Sequence, residues 1–181
     1  MSAPAVAALP DAVRAERSLG SAQAKQVVTE CFSLTCSHCA AFARETLPEL
    51  KTRWINPGRL RWVFRDLPTD RTALSAAMVA RHLPIERYEP FINALFAAQD
   101  RWAFNDATPS DALWPFASAA GMDRAEFDRA LSDSALRDWI IGQAREAQAR
   151  WKLDATPSFV IKDKVYAGAM SAGQFAKLLG N

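Results

Sequence analysis

Only three of the 181 residues are cysteine, two are histidine and two are tyrosine. Three cysteines are too few for a disulfide-stapled scaffold, and a chain of this length can bury a sound core without staples. No apolar stretch reaches the roughly 18 residues needed to span a bilayer. The formal charge is only +2 and no long run of like charges occurs. This excludes the basic footprint of a nucleic-acid binder. No internal repeat is evident, and no low-complexity tract beyond an alanine-rich start. That start, Met1 to Pro10, has no basic residue before its apolar part and is ended by Pro10. It is not an intact secretory signal. The expectation is a cytosolic protein or a mature form with an added initiating methionine.

What is present is ordinary for a globular protein: 50% apolar and 23% charged residues, enough for one domain or one domain with a sizeable insertion. Six tryptophans sit singly on periodic segments, as core residues do. Residues 1–20 carry no clear period and read as a loose arm. Val27 to Ser33 is β-branched and aromatic, which predicts a strand. Thr35 to Trp54 reads as a helix, with Cys39, Phe42, Ala43, Leu47 and Leu50 on one face and a kink at Pro48. A turn at Asn56-Pro57-Gly58 leads into a second strand, Leu60 to Arg65, which stops before Pro68.

The next eighty residues are helical in pattern. One helix starts near Asp70 and a second runs from Tyr88 to Trp102, with Pro90 in or near its first turn. A third spans Pro109 to Ala120, with a bend at Pro115. Asp123 and Glu126 form a capping-box pattern for a fourth. An amphipathic stretch through Leu136, Trp139 and Ile140 ends near Leu153, with Ser132-Asp133-Ser134 as a break. Ser158 to Ile161 and Lys164 to Ala167 then read as a hairpin, and Ala172 to Leu179 as a last helix.

Within this order the segment Cys36-Ser37-His38-Cys39 falls where the first strand passes into the first helix. A thiolate, not a thiol, attacks a disulfide, and a free cysteine titrating near ~8.5 is mostly inert at neutral pH. A helix N-terminus offers partial positive charge and unpaired N–H groups. Cys36 should therefore have a lowered pKa, and a protonated His38 would add a second positive charge. Stabilising the reduced thiolate makes the disulfide a stronger oxidant. Cys39, one turn further in, would be less exposed and would resolve the mixed disulfide formed at Cys36. The competing reading is a zinc site built from Cys31, Cys36, His38 and Cys39. Against it, Cys31 lies on an extended strand and no second pair of ligands follows.

Two runs together resemble the DsbA-like thiol:disulfide oxidoreductases of the thioredoxin superfamily. The first is Glu30-Cys31-Phe32-Ser33 followed by Thr35-Cys36-Ser37-His38-Cys39. The second is Ala155-Thr156-Pro157-Ser158-Phe159-Val160-Ile161, similar to the family's cis-proline loop. Val165 to Met170 is also family-like. The resemblance implies an α/β thioredoxin fold with an all-helical domain inserted between the second and third strands. The division would be 21–70 and 154–181 for the thioredoxin part and 71–153 for the insertion. It further implies a cis bond at Thr156-Pro157, packed against the cysteine pair, where Thr156 would pair with an extended substrate backbone. Glu30 stands where the family often carries a buried acid, which would have a raised pKa and take the Cys39 proton. The plain alternative is a solvated strand-edge glutamate.

Two departures stand out. Ser37 occupies the place of a frequent proline, which leaves the potential open, and Cys31 replaces an aromatic or small residue and reads as a small buried hydrophobe. His82 reads as a surface or helix-end residue. The implied activity is dithiol–disulfide exchange, with the protein donating its disulfide to folding extracytoplasmic proteins in a bacterial periplasm. A membrane quinone-linked thiol oxidase would reoxidise it. The protein would be a monomer with no bound cofactor, since the cysteine pair carries the electrons. A reductase or isomerase on the same fold, a metal-binding module and a glutathione-dependent transferase remain alternatives.

Overall fold

A computed structural model describes residues 9–104 and 107–180. In chain order the elements are α1 (Asp11–Arg14), β1 (Arg17–Leu19), β2 (Gln26–Phe32), α2 (Ser37–Glu45), α3 (Leu47–Leu50) and a π-helical turn (Lys51–Ile55). Then come β3 (Leu60–Asp66), α4 (Arg71–His82), α5 (Ile85–Ala97), α6 (Gln99–Trp102), α7 (Pro109–Ala119), α8 (Arg124–Ser132) and α9 (Ser134–Trp151). The chain closes with β4 (Ser158–Ile161), β5 (Lys164–Ala167) and α10 (Ala172–Leu179).

The strands form one sheet in the order β1-β3-β2-β4-β5. Only β2 and β3 are parallel, joined by the α2–α3 crossover; β1, β4 and β5 add antiparallel. The end of the central strand β2, Glu30 to Phe32, is buried on both faces. Alternation along it sends Phe32 toward the large aromatic core and Cys31 toward a smaller cluster with Leu67, Ala144, Ala147, Leu153 and Val160. The aromatic core lies under α2, where Phe42 stacks on Trp62 at 5.7 Å and Phe159 and Phe175 pack around them. Edge and tilted ring pairs of this kind favour one fixed arrangement beyond their area burial. The active-site helix is thereby seated on the sheet.

The arm departs from its sequence reading. Residues 17–19 form β1, hydrogen-bonded along β3, and Arg17 is buried. Three residues are too short a run for a period-2 pattern to register. The helical block accordingly lies between the third and fourth strands once β1 is counted. The expected helix from Thr35 to Trp54 is broken earlier than its proline: α2 ends at a Thr46 cap and Pro48 falls in the first turn of α3. Proline lacks the N–H and clashes with the carbonyl four residues upstream, so the break falls before it. Pro90 sits inside α5, which begins at Ile85, and the helix expected to reach Trp102 stops at Ala97, with Gln99–Trp102 forming the separate α6.

The boundaries of the helical block follow their caps. Asp70 accepts from the Ala73 N–H to start α4, Asp123 and Glu126 close a reciprocal box on α8, and Asp133 caps α9 at the expected break. Each such cap stabilises by about 1 kcal/mol. A buried ion pair joins the block to the sheet: Arg81 Nε of α4 donates to Asp66 Oδ2 of β3 at 2.6 Å. Arg81 also donates to the carbonyls of Val13 and Ala15, and Arg17 Nη2 donates to the Arg81 carbonyl. Among the described residues no helix is long and apolar enough to cross a membrane.

Candidate active site

The loop from β2 to α2 turns at Ser33, whose carbonyl accepts from the Cys36 N–H at 3.1 Å. Cys36 then occupies the N-cap of α2 with an extended backbone. Serine, threonine or aspartate normally fills that position, because a side-chain acceptor satisfies an unpaired N–H of the first turn. Here a sulfur does so: Cys36 Sγ accepts from the Cys39 N–H at 3.4 Å. A thiolate makes a better cap than a thiol, both as an acceptor and as a negative charge at the positive end of the helix.

Position splits two identical side chains into a thiolate and a thiol. The Cys36 pKa is drawn down to about 5; the hydrogen bond from the Cys39 side chain is the largest cause, partial burial opposes it, and the Thr156 side chain and the backbone N–H groups of Cys39 and His38 assist. Cys39 is fully buried. Its pKa is pushed far above the ordinary range, first by burial, then by the hydrogen bond to Cys36 and by the charge of Glu30. All three cysteines are free of disulfide bonds.

Thr156 faces the pair from the far end of the sequence. The Thr156-Pro157 peptide bond is cis, and the Thr156 carbonyl accepts from Cys36 Sγ at 3.3 Å. Pro157 is buried, Thr156 half-buried. Ser37 and His38 are both exposed. The backbone N–H of His38 also favours the Cys36 thiolate.

Glu30 is buried, 2% exposed, and its Oε2 accepts from Trp62 Nε1 at 2.9 Å. Burial pushes its pKa up to about 8, the Trp62 hydrogen bond pulls the other way, and Cys36 adds to the rise. It is therefore no solvated edge residue. On the opposite face of the sheet Cys31 is wholly buried, and its pKa is pushed up to about 12, chiefly by burial. It packs as a small apolar side chain. His82 closes α4, with Nε2 3.2 Å from Asp133 Oδ2.

The structure also supplies residues that the sequence did not single out. Gln99 of α6 donates from Nε2 to the carbonyls of Leu34 at 2.8 Å and Cys36 at 3.1 Å, pinning the cysteine loop from within the helical block. Ser33 Oγ lies 2.9 Å from Thr69 Oγ1, and the Thr35 hydroxyl donates to Asp70, the cap of α4. Among the described residues no group of three or more His, Cys, Asp and Glu is placed to hold a metal ion.

A parallel β2–β3 core, a thiol at the N-cap of the crossover helix and a cis-proline loop beside it define a thioredoxin-fold protein carrying a helical insertion. The family model described as Thioredoxin matches residues 13–181, and the chain belongs to that family. The crystal structure of Wolbachia pipientis alpha-DsbA1 is similar at 27% identity and a TM-score of 0.85, covering 94% of this chain and 90% of that one. A protein-disulfide isomerase from Novosphingobium aromaticivorans is similar at 26% identity and a TM-score of 0.81, covering 92% of this chain and 98% of that one. The chain is thus DsbA-like in fold, helical insertion included. A Rickettsia felis protein provisionally named a protein-disulfide oxidoreductase is 28% identical over 79% of this chain and 51% of its own length. The chain spans about half the length of the curated relatives it matches.

Proposed function

We propose that this protein catalyses dithiol–disulfide exchange and acts as an oxidant, donating a Cys36–Cys39 disulfide to folding proteins outside the cytoplasm. The observation that carries the reading is the Cys36 thiol at a helix N-cap with its pKa drawn down to about 5. The reduced protein then holds a stabilised thiolate, and whatever stabilises the reduced form raises the potential of the disulfide.

A substrate thiolate attacks Cys36 Sγ, the Cys36–Cys39 bond breaks, and a mixed disulfide forms at Cys36. Cys39 leaves as a thiolate, an unfavourable species in its buried setting, and takes a proton from Glu30. A second substrate thiolate attacks the substrate sulfur and releases Cys36 as a thiolate. The substrate loses two electrons and the cysteine pair gains them. Reoxidation reverses the order: Cys36 attacks the oxidant, Glu30 takes the Cys39 proton back, and Cys39 closes the disulfide. A Glu30 pKa of about 8 suits a group that gives and regains a proton near neutrality. Ser37 and His38, exposed beside Cys36, face the incoming chain, and the Thr156 backbone pairs with it. The protein would work as a monomer in a periplasm, reoxidised by a membrane quinone-linked thiol oxidase.

Equilibrating the pair against glutathione buffers tests the direction. A potential well above the glutathione poise, toward about −120 mV, is expected; one near about −270 mV, as in a reductant, overturns the oxidant reading. The second reading, an isomerase, is favoured by the likeness to the Novosphingobium protein-disulfide isomerase. It would appear as reshuffling of scrambled disulfides by the reduced protein.

A further inference from the structure

Trp62 is placed to govern the carboxyl group behind the cysteine pair. Its indole ring is wholly buried, stacked on Phe42 of the active-site helix and flanked by Phe159 and Phe175. Its Nε1 donates to Glu30 Oε2 at 2.9 Å. An indole N–H can donate but never accept, so it donates to Glu30 whether that group is charged or neutral. The oxygen that receives this hydrogen bond is the better place for the carbonyl of a protonated carboxyl, and the proton is directed to Oε1.

We propose that Trp62 is a positioning residue for proton exchange with Cys39: its indole N–H holds Glu30 by Oε2, presents Oε1 as the oxygen that carries the proton, and sets the pH at which the carboxyl ionises. This rests on the proton-transfer role of Glu30 proposed above. Three observations support it. The hydrogen bond has full-strength geometry and is buried at both ends, the donor is fixed by ring packing on three aromatic side chains, and the bond opposes the effect of burial on Glu30. Burial alone would hold a carboxyl protonated well into alkaline pH. A fixed neutral donor stabilises the charged form without placing a second charge in the core.

The test is a carboxyl NMR titration of reduced protein labelled at glutamate, with Glu30→Gln identifying the buried signal. The Trp62→Phe variant keeps a ring against Phe42 and loses the N–H. Its Glu30 midpoint should move up by about one pH unit, and the pH at which Cys39 closes the disulfide in single-turnover reoxidation should move with it. Loosened packing that merely admitted water would move the midpoint down. A midpoint that stays or falls therefore overturns the proposal. Should Trp62→Phe fail to fold, replacement of Trp62 by benzothienylalanine keeps the bicyclic ring without the N–H, and the same shift is required of it. The two layers separate cleanly. If Glu30→Gln leaves the reoxidation profile unchanged, the proton role of Glu30 fails; if Glu30→Gln abolishes the step but the Trp62 variants leave it in place, only the role of Trp62 fails.

Discussion

The sulfur of Cys36 lies 3.3 Å from the carbonyl oxygen of Thr156, 120 residues further along the chain. The Thr156 side chain also favours the thiolate form of the same sulfur. One residue thus bears on both states of the cysteine: its backbone accepts from the thiol, and its side chain favours the thiolate. Thr156→Val keeps the shape and removes the donor. The Cys36 pKa should rise by up to about one unit, followed by the ultraviolet absorbance of the thiolate against pH. The disulfide should become correspondingly less oxidising against glutathione.

Much of this site is legible in the sequence because its two motifs are local. A thiol at a strand-to-helix junction and a proline opening a strand declare themselves within a few residues. What stays hidden depends on tertiary pairing. Alternation puts Trp62 on one face of its strand, but only the parallel register, with Glu30 opposite Phe64, brings its N–H to the acid. Gln99 reaches the cysteine loop across 63 residues of sequence with no motif of its own. Residues 17–19 become a strand only because β3 offers a free edge, and Arg17 is buried there with its guanidinium on the carbonyls of Ala12 and Arg81 and over the Tyr88 ring.

Glu30 makes stability depend on pH in a direction opposite to most acids. Its folded pKa, about 8, lies above the ordinary value of 4.5. The folded state therefore holds a proton that the unfolded chain has released. Its contribution to stability is whole below pH 4.5 and is lost as pH rises toward 8. Between pH 4.5 and 7 the loss is roughly 3 kcal/mol. Glu30→Gln has no charge to bury and its amide oxygen can still accept from Trp62. Urea unfolding of reduced protein at a series of pH values should show the variant gaining on the parent as pH rises. A difference constant from pH 4 to 8 would contradict a raised Glu30 pKa.

Gln99 is one of the contacts through which the helical block holds the cysteine loop. It is 7% exposed and its amide satisfies the carbonyls of Leu34 and Cys36. Gln99→Leu keeps the volume and strands two acceptors, which costs about 1–3 kcal/mol for each one left unpaired. The fold should survive with a lower unfolding midpoint. Hydrogen exchange should speed up first at the N–H groups of Cys36 to Ala40, since those carbonyls anchor the start of α2. Exchange that rises evenly through the sheet instead would mean that Gln99 supports general packing rather than the loop.

Asp66 shares a buried cluster with Arg17 and Arg81. Its Oδ2 accepts from Arg81 at 2.6 Å with both side chains about 5–6% exposed, and Tyr88 reaches its Oδ1 at 3.4 Å. Arg81 in turn holds the carbonyls of Val13 and Ala15, while Arg17 spans the carbonyls of Ala12 and Arg81. Asp66→Ala would leave the Arg81 cation buried without a counter-charge, a change that typically costs 3–5 kcal/mol. Much of that cost is the stranded charge itself rather than the lost attraction, so removing both partners should be milder. Asp66→Ala combined with Arg81→Met should recover a substantial part of the stability in a denaturant series. It should not protect the β1 amides to the parental level, because with Arg81 gone the carbonyls of Val13 and Ala15 lose their donor. Protection of Arg17 to Leu19 in both variants alike, at parental levels, would mean that β1 is held by its ladder to β3 alone.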